Sequence, residues 1–275
     1  MSRPQSSTLP LANARMYSAT LSVQADWKAL FSWVLARAGL PWQVIDYDAP
    51  APLTDLWARD DLGLVMMCGL PFAQRNARPT LLAAPIPSPA RYGGKPVYFT
   101  DIVVRSDAPF RTLEDTFGGV LGYTLADSLS GGVALQHHLA PYRTSQRPRL
   151  YRAAVGKLIN ARGVIEALAA GRIDVGPLDS YYHDLLKRND PDLASRVRVV
   201  ASTAALPIPP LVATAALSQS ELSRLQQALL AVHASSELGP ALERLQLRGF
   251  ALVNPADYDR LAEMARQITT TFEDL

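Results

Sequence analysis

A single cysteine, Cys68, stands in 275 residues, so no disulfide can form within the chain and no zinc site can be built on thiolates. Lysine is nearly as scarce. Lys28, Lys95, Lys157 and Lys187 are the only four, and arginine supplies the rest of the 27 basic residues. Against 25 acidic residues the formal charge is only +2, and the sequence pI of 8.7 reflects near balance rather than a surface for nucleic acid. No apolar run approaches the roughly 20 residues of a membrane span, so membrane insertion is not expected. The four histidines, His137, His138, His183 and His233, form neither His-x-x-x-His nor Glu-x-x-His, and no metal site is expected. The Gly-Lys-Ser/Thr ending of a P-loop and the Gly-x-Ser-x-Gly elbow of serine hydrolases are both missing.

What remains is a globular composition, 48% hydrophobic and 19% charged, which excludes disorder, collagen and a coiled coil. The length suffices for one large domain or two modest lobes. Met1–Thr8 is polar, and Leu9–Ala14 is too short and interrupted for the apolar core of a signal peptide. The sequence as it stands therefore reads as soluble and unexported.

Short apolar runs alternate with amphipathic segments, the pattern of an α/β protein. Leu9–Ala14 precedes a helix whose apolar stripe is Trp27, Leu30, Phe31, Val34 and Leu35, spaced i, i+3, i+4, i+7, i+8. Asp26 favours the start of that helix and Gly39-Leu40-Pro41 ends it. Strands are expected at Trp42–Ile45, Leu62–Met67, Leu81–Ile86, Val97–Arg105, Gly119–Tyr123, Arg172–Gly176, Arg196–Ser202 and Leu211–Thr214. Helices are expected at Leu53–Asp60, Thr112–Phe117, Ser128–Leu139, Ala161–Ala170 and Tyr181–Lys187. The tail reads as helical over Gln219–His233, Glu237–Leu245 and Pro255–Thr271, with Ser220 and Pro255 as start signals. Six prolines between Pro71 and Pro96 mark irregular surface chain around Tyr92-Gly93-Gly94.

Ser128-Leu129-Ser130-Gly131-Gly132 falls between an expected strand and an expected helix. Unpaired N–H groups, the positive end of the helix and two hydroxyls suit an oxyanion, and the glycines allow close backbone approach. An ordinary serine N-cap explains the same residues equally well. Asp179 follows a strand end, where open α/β sheets bind ligands, and it could instead cap the helix carrying Tyr181 and Tyr182. Cys68 reads as a buried thiol rather than a nucleophile. Arg143, Arg147, Arg149 and Arg152 read as a solvated loop and strand edge, because no aromatic residues are interleaved with them.

Taken in order, several stretches resemble the phosphonate-binding (PhnD-like) solute-binding proteins of ABC transporters. They are Ala-Asn-Ala-Arg-Met-Tyr at 12–17, Cys-Gly-Leu-Pro-Phe at 68–72, Asp-Ser-Leu-Ser-Gly-Gly at 127–132 and Glu-Ala-Leu-Ala-Ala-Gly-Arg-Ile-Asp-Val-Gly-Pro-Leu-Asp at 166–179. The ending Leu-Arg-Gly-Phe-Ala-Leu-Val-Asn-Pro-Ala-Asp-Tyr, 247–258, resembles that family's last strand and helix. The resemblance implies a two-lobed α/β fold of the periplasmic-binding-protein type 2, with a central cleft and two crossing hinge strands near Tyr98–Arg105 and Ala204–Leu211. Lobe I would comprise 1–101 and 206–275, and lobe II 102–205.

By position, the resemblance implies that Tyr17 faces the cleft. Ser128 and Ser130, with the amides of Leu129 to Gly131, would cradle a phosphonate-type oxyanion, and Asp179 would hold a positive or hydroxyl group. Where relatives often carry an aromatic residue, a Thr, a His and a Pro, this chain has Leu70, Leu129, Asn160 and Arg15, and Arg15 could supply a new anion contact. The implied function is non-enzymatic capture of a small anion by hinge closure, with an ABC permease as partner if the protein is exported. No cofactor is implied, a monomer is expected, and the compartment would be the periplasm. The alternative is a cytoplasmic enzyme or ligand sensor on the same fold, for which Asp179 or His183 would be the acid or base. A buried carboxylate facing a His would favour that alternative.

Overall fold

The computed structural model describes residues 9–48 and 51–275, so the polar stretch Met1–Thr8 falls outside the described residues. The strands, in chain order, are β1 (Leu11–Asn13), β2 (Gln43–Val44), β3 (Leu62–Met66), β4 (Thr80–Pro87), β5 (Val97–Tyr98), β6 (Thr100–Arg105) and β7 (Val120–Gly122). They continue with β8 (Ala153–Val155), β9 (Gly176–Asp179), β10 (Val197–Ser202), β11 (Leu206–Pro207), β12 (Leu211–Ala213) and β13 (Leu247–Ala251). The chain divides into two compact units. Unit 1 is Met1–Met67, Arg75–Pro96 and Pro209–Val253, and unit 2 is Cys68–Gln74, Val97–Ile208 and Asn254–Leu275.

Unit 1 holds a six-stranded mixed sheet in the order β13-β4-β12-β3-β1-β2. β1 runs parallel to β2 and β3, while β12 is antiparallel to both β3 and β4. Every residue of β3 is buried, as its unbroken apolar run requires of a central strand. The helix Leu21–Arg37 buries the whole expected stripe, Trp27, Leu30, Phe31, Val34 and Leu35. It starts earlier than Asp26 suggests. Thr20 is the cap, accepting from the Val23 N–H at 3.2 Å, and Asp26 lies mid-helix. The helix after β12 likewise begins not at Ser220 but at Ser218, which forms a capping box with Glu221.

Unit 2 contains the antiparallel sheet β10-β6-β9, the ribbon β5–β11 and the parallel pair β7–β8. Its core gathers Ile102, Val104, Leu121, Leu135, Leu139, Leu150, Val175, Phe272 and Leu275 among others. The last two residues explain a departure from the expected lobes. Residues 254–275 pack in unit 2, where the Leu275 carbonyl accepts from the Leu150 and Tyr151 N–H groups. The expected strand Val97–Arg105 breaks at Phe99, because its backbone turns to Ser180: Phe99 N–H donates to Ser180 Oγ at 3.0 Å and Phe99 C=O accepts from Ser180 N–H at 2.9 Å. The strand expected at Arg172–Gly176 begins only at Gly176, and Val175 makes an isolated bridge with Leu121. Thr112–Phe117 shortens to one 3-10 turn, Glu114–Thr116. The Pro255–Thr271 helix becomes a 3-10 turn at Pro255–Tyr258 followed by Asp259–Gln267.

Candidate functional site

The Ser128–Gly132 segment opens not as a regular α-helix but as a π turn, Leu129–Val133, which passes into the helix Ala134–Leu139. Ser128 is its N-cap, with Oγ accepting from the Gly131 N–H at 3.4 Å. Gly131 is required here, since any Cβ would overlap the buried Thr124 side chain. The Leu129 N–H points at the Cys68 sulfur, as does that of Leu70. Leu129 and Leu70 bury their side chains completely. Among the described residues no backbone carbonyl accepts from the Ser130 N–H, as expected for the first turn of a helix. Both serines are half-buried.

Three neighbours fix this turn. Thr100, the first residue of β6, donates through Oγ1 to the Ser130 carbonyl at 2.8 Å. In the β6–β9 ladder, Thr100 lies opposite Asp179, which brings the end of β9 to the same place. Tyr98 of β5 shares a side-chain hydrogen bond with Ser130. Burial is the largest influence on its phenol, raising the pKa well above the ordinary value, and the nearby Cys68 and Asp179 push the same way. The phenol is therefore a neutral O–H donor at any physiological pH. Tyr98 was not among the residues the sequence singled out, because an aromatic residue in an apolar strand is indistinguishable from core by pattern.

Asp179 caps the helix Ser180–Asn189, its Oδ1 accepting from the Tyr181 and Tyr182 N–H groups at 2.9 and 3.0 Å. The Cys68 thiol is buried, which raises its pKa. Asn160 also caps a helix, accepting from the Gly163 N–H at 3.0 Å ahead of Ala161–Ala169. The chain just before it is strained: Lys157 and Ile159 have φ of 58° and 67°, a conformation that a β-branched residue rarely adopts. Unit 2 thus brings together Ser128, Leu129, Ser130, Gly131 and Asp179, adding Tyr98, with Leu70 beside them across Cys68, while Asn160 caps the helix Ala161–Ala169 of the same unit.

Tyr17 and Arg15 belong to unit 1, on the short 3-10 turn after β1. Tyr17 is buried. The Arg15 Nε is buried without a hydrogen-bond partner, beside a shallow crevice that Gln24, Lys28 and Asp46 also line. The basic cluster has its own arrangement. Arg147 lies over the Phe117 ring, 5.4 Å from its centroid, while Arg143 donates to the Pro148 carbonyl and to Thr270 Oγ1. Among the described residues no three His, Cys, Asp or Glu side chains converge as for a metal ion, and no helix is long and apolar enough to cross a membrane.

The half-buried Ser128 and Ser130 thus lie on one turn with the Ser130 amide, with the buried Tyr98 phenol against Ser130 and one carboxylate, Asp179, alongside. The pattern of the phosphonate, periplasmic substrate-binding proteins of ABC transporters matches residues 17–258. The chain belongs to this family. Its members are substrate-binding proteins of ABC transporters, and the chain is one of them.

Solved structures agree on the fold. A binding protein component of an ABC phosphonate transporter from Pseudomonas aeruginosa is 16% identical with a TM-score of 0.75, over 94% of this chain and 86% of that one. PhnD1 of Prochlorococcus marinus, in complex with methylphosphonate, is 15% identical with a TM-score of 0.75, over 94% of this chain and 97% of that one. A Xanthomonas citri protein bound to ATP is 22% identical with a TM-score of 0.61, over 94% and 96%. The fold is the periplasmic-binding-protein type 2 architecture expected from the resemblance. No curated protein matches the chain by sequence.

Proposed function

We propose that this chain captures a small oxyanion (a phosphonate, a phosphate ester or a related acid) on the Ser128–Gly131 turn and delivers it to an ABC permease. One observation supports the reading above the others: the turn carries two half-buried hydroxyls and an amide without a backbone acceptor, with the neutral phenol of Tyr98 bonded to Ser130. Ser128, Ser130 and the amides of Ser130 and Gly131 would receive the oxyanion oxygens, with the buried Tyr98 phenol holding Ser130 from behind. Asp179 would accept from an amine or hydroxyl of the ligand; Tyr17 would add the contact that family position implies, and Asn160 and Arg15, which depart from the family's residues, would add contacts of this chain's own. Capture by movement about hinges near Tyr98–Arg105 and Ala204–Leu211 belongs to the same proposal, as do a monomeric state and a periplasmic location.

The reading is non-enzymatic. A buried carboxylate does face a histidine, Asp101 against His183, but both side chains are sealed from solvent and no reactant reaches them.

The test is thermal unfolding against alkylphosphonates, phosphate, sulfonates and small carboxylates. ATP joins the panel because the Xanthomonas citri neighbour binds it. A ligand at 100 times its dissociation constant adds about 2.7 kcal/mol of stability, several degrees for a chain of this size. A selective shift that Ser130→Ala abolishes supports the reading. A flat response across the panel, or a shift indifferent to Ser128→Ala and Ser130→Ala, sinks it.

A further inference from the structure

Two buried polar side chains, Asp101 and His183, with the exposed Ser202 at their far end, form a hydrogen-bonded chain on the elements next to Asp179. His183 Nδ1 lies 2.8 Å from Asp101 Oδ2, and Ser202 Oγ donates to Asp101 Oδ1 at 2.9 Å. Asp101 is 0% exposed and His183 1%. The three residues come from three elements of unit 2: the helix Ser180–Asn189, the central strand β6 and its neighbour β10.

Such a cluster is a poor way to gain stability. Taking a carboxylate out of water costs more than its partners return, and an apolar cluster of the same volume would hold the elements together at least as well. What a hydrogen-bonded imidazole adds is direction. It fixes the rotation of its helix about the helix axis, whereas an apolar side chain tolerates rotation.

Here that rotation matters, because His183 lies one helical turn beyond Asp179, the residue that caps the same helix. Strand β6 then does two things with adjacent residues. Thr100 fastens the Ser128–Gly131 turn through the Ser130 carbonyl, and Asp101 fastens the helix behind Asp179 through His183. The two elements that carry the oxyanion donors and the carboxylate are thus registered against one strand.

We infer that Asp101 and His183 are positioning residues, whose hydrogen bond sets the orientation of the Asp179 carboxylate relative to the oxyanion turn. The part of this that concerns affinity rests on the reading that Asp179 contacts the ligand.

The experiment combines calorimetric titration with methylphosphonate and amide NMR of the ligand-free protein. His183→Leu removes the donor, whereas the His183→Asn side-chain amide can place an N–H close to where Nδ1 stood. His183→Leu is expected to weaken methylphosphonate binding about tenfold, His183→Asn to restore most of it, and His183→Leu to cost nothing further in an Asp179→Ala background. Additive losses in that background, with Ser130→Ala still abolishing binding, overturn the positioning role and leave the oxyanion site standing.

Without ligand, the Tyr181 and Tyr182 amide signals, whose protons Asp179 accepts, are expected to shift in His183→Leu and return in His183→Asn. Unmoved signals in the folded variant overturn the inference. If methylphosphonate binds none of these proteins, the functional reading fails for that ligand and the amide signals decide the positioning role alone. Should His183→Leu fail to fold, Asp101→Asn, which keeps the Ser202 and His183 contacts sterically possible, is read by the same amide signals.

Discussion

Arg244 holds Asp26 through two hydrogen bonds, Nε to Oδ2 at 2.8 Å and Nη2 to Oδ1 at 2.6 Å. The pair joins the helix Leu21–Arg37 to the helix Gly239–Arg244 inside unit 1, with the carboxylate buried and the guanidinium about half exposed. Arg244→Met takes both charge-assisted bonds from a carboxylate that water reaches poorly. Solvent screening at the guanidinium keeps the expected loss to about 1–2 kcal/mol. A urea midpoint that falls at constant slope is the expected reading, and an unchanged midpoint would show that the pair is energetically idle.

Gly131→Ala forces a methyl group into the Thr124 side chain. Overpacking of this kind costs about 1–3 kcal/mol, and here it also disturbs the turn that carries the oxyanion donors. The expected result is a lowered melting temperature together with lost anion binding. Thr124→Ala in the same chain should recover part of the stability, and its failure to do so would locate the clash elsewhere.

Cys68 is buried, and burial raises its pKa, so the thiolate that reacts with alkylating agents is scarce in the folded protein. At pH 8 iodoacetamide should modify the native chain far more slowly than the chain in urea, as read by mass spectrometry. Equal rates would mean that the segment carrying Cys68 opens readily.

The capping box at Ser218 predicts a pH dependence with a definite sign. The Ser218 hydroxyl and N–H hydrogen-bond to the Glu221 carboxylate and hold its pKa below the ordinary glutamate value. A folded pKa below the unfolded one stabilises above the unfolded value, near 4.3, and that contribution is lost as pH falls through the folded pKa. Glu221→Ala should therefore cost about 0.5–1 kcal/mol at pH 7 and progressively less as the pH drops below about 4. A gap that stays constant between pH 7 and pH 3 would remove the carboxylate from the explanation.

Local periodicity made some of this structure readable in advance. The stripe from Trp27 to Leu35, the buried run of β3 and the helix after Asn160 depend on near neighbours, and all three lie where the spacing predicts. The errors arose where a distant partner decides. Phe99 leaves the strand because Ser180 competes for its backbone, and Arg172–Gly176 is short of a strand because Asp174 bonds back to the Val120 N–H. The Ser128–Gly132 turn was legible as a helix start, but its close packing of Gly131 against Thr124 is one that no spacing reveals. Tyr98 and the Asp101–His183 pair have no local signature at all, and only the folded strand order brings them to the site.

Strand β12 lies between β4 and β3, and β13 lies outside β4. During synthesis β3 and β4 leave the ribosome more than a hundred residues before the strand that must fit between them. At about 5–20 residues per second the nascent chain carries that gap for several seconds, with two apolar strand edges open at its centre. The sheet of unit 1 therefore stays open until β12 has been made, and over that interval its exposure to chaperones and proteases is set by the elongation rate rather than by its final stability.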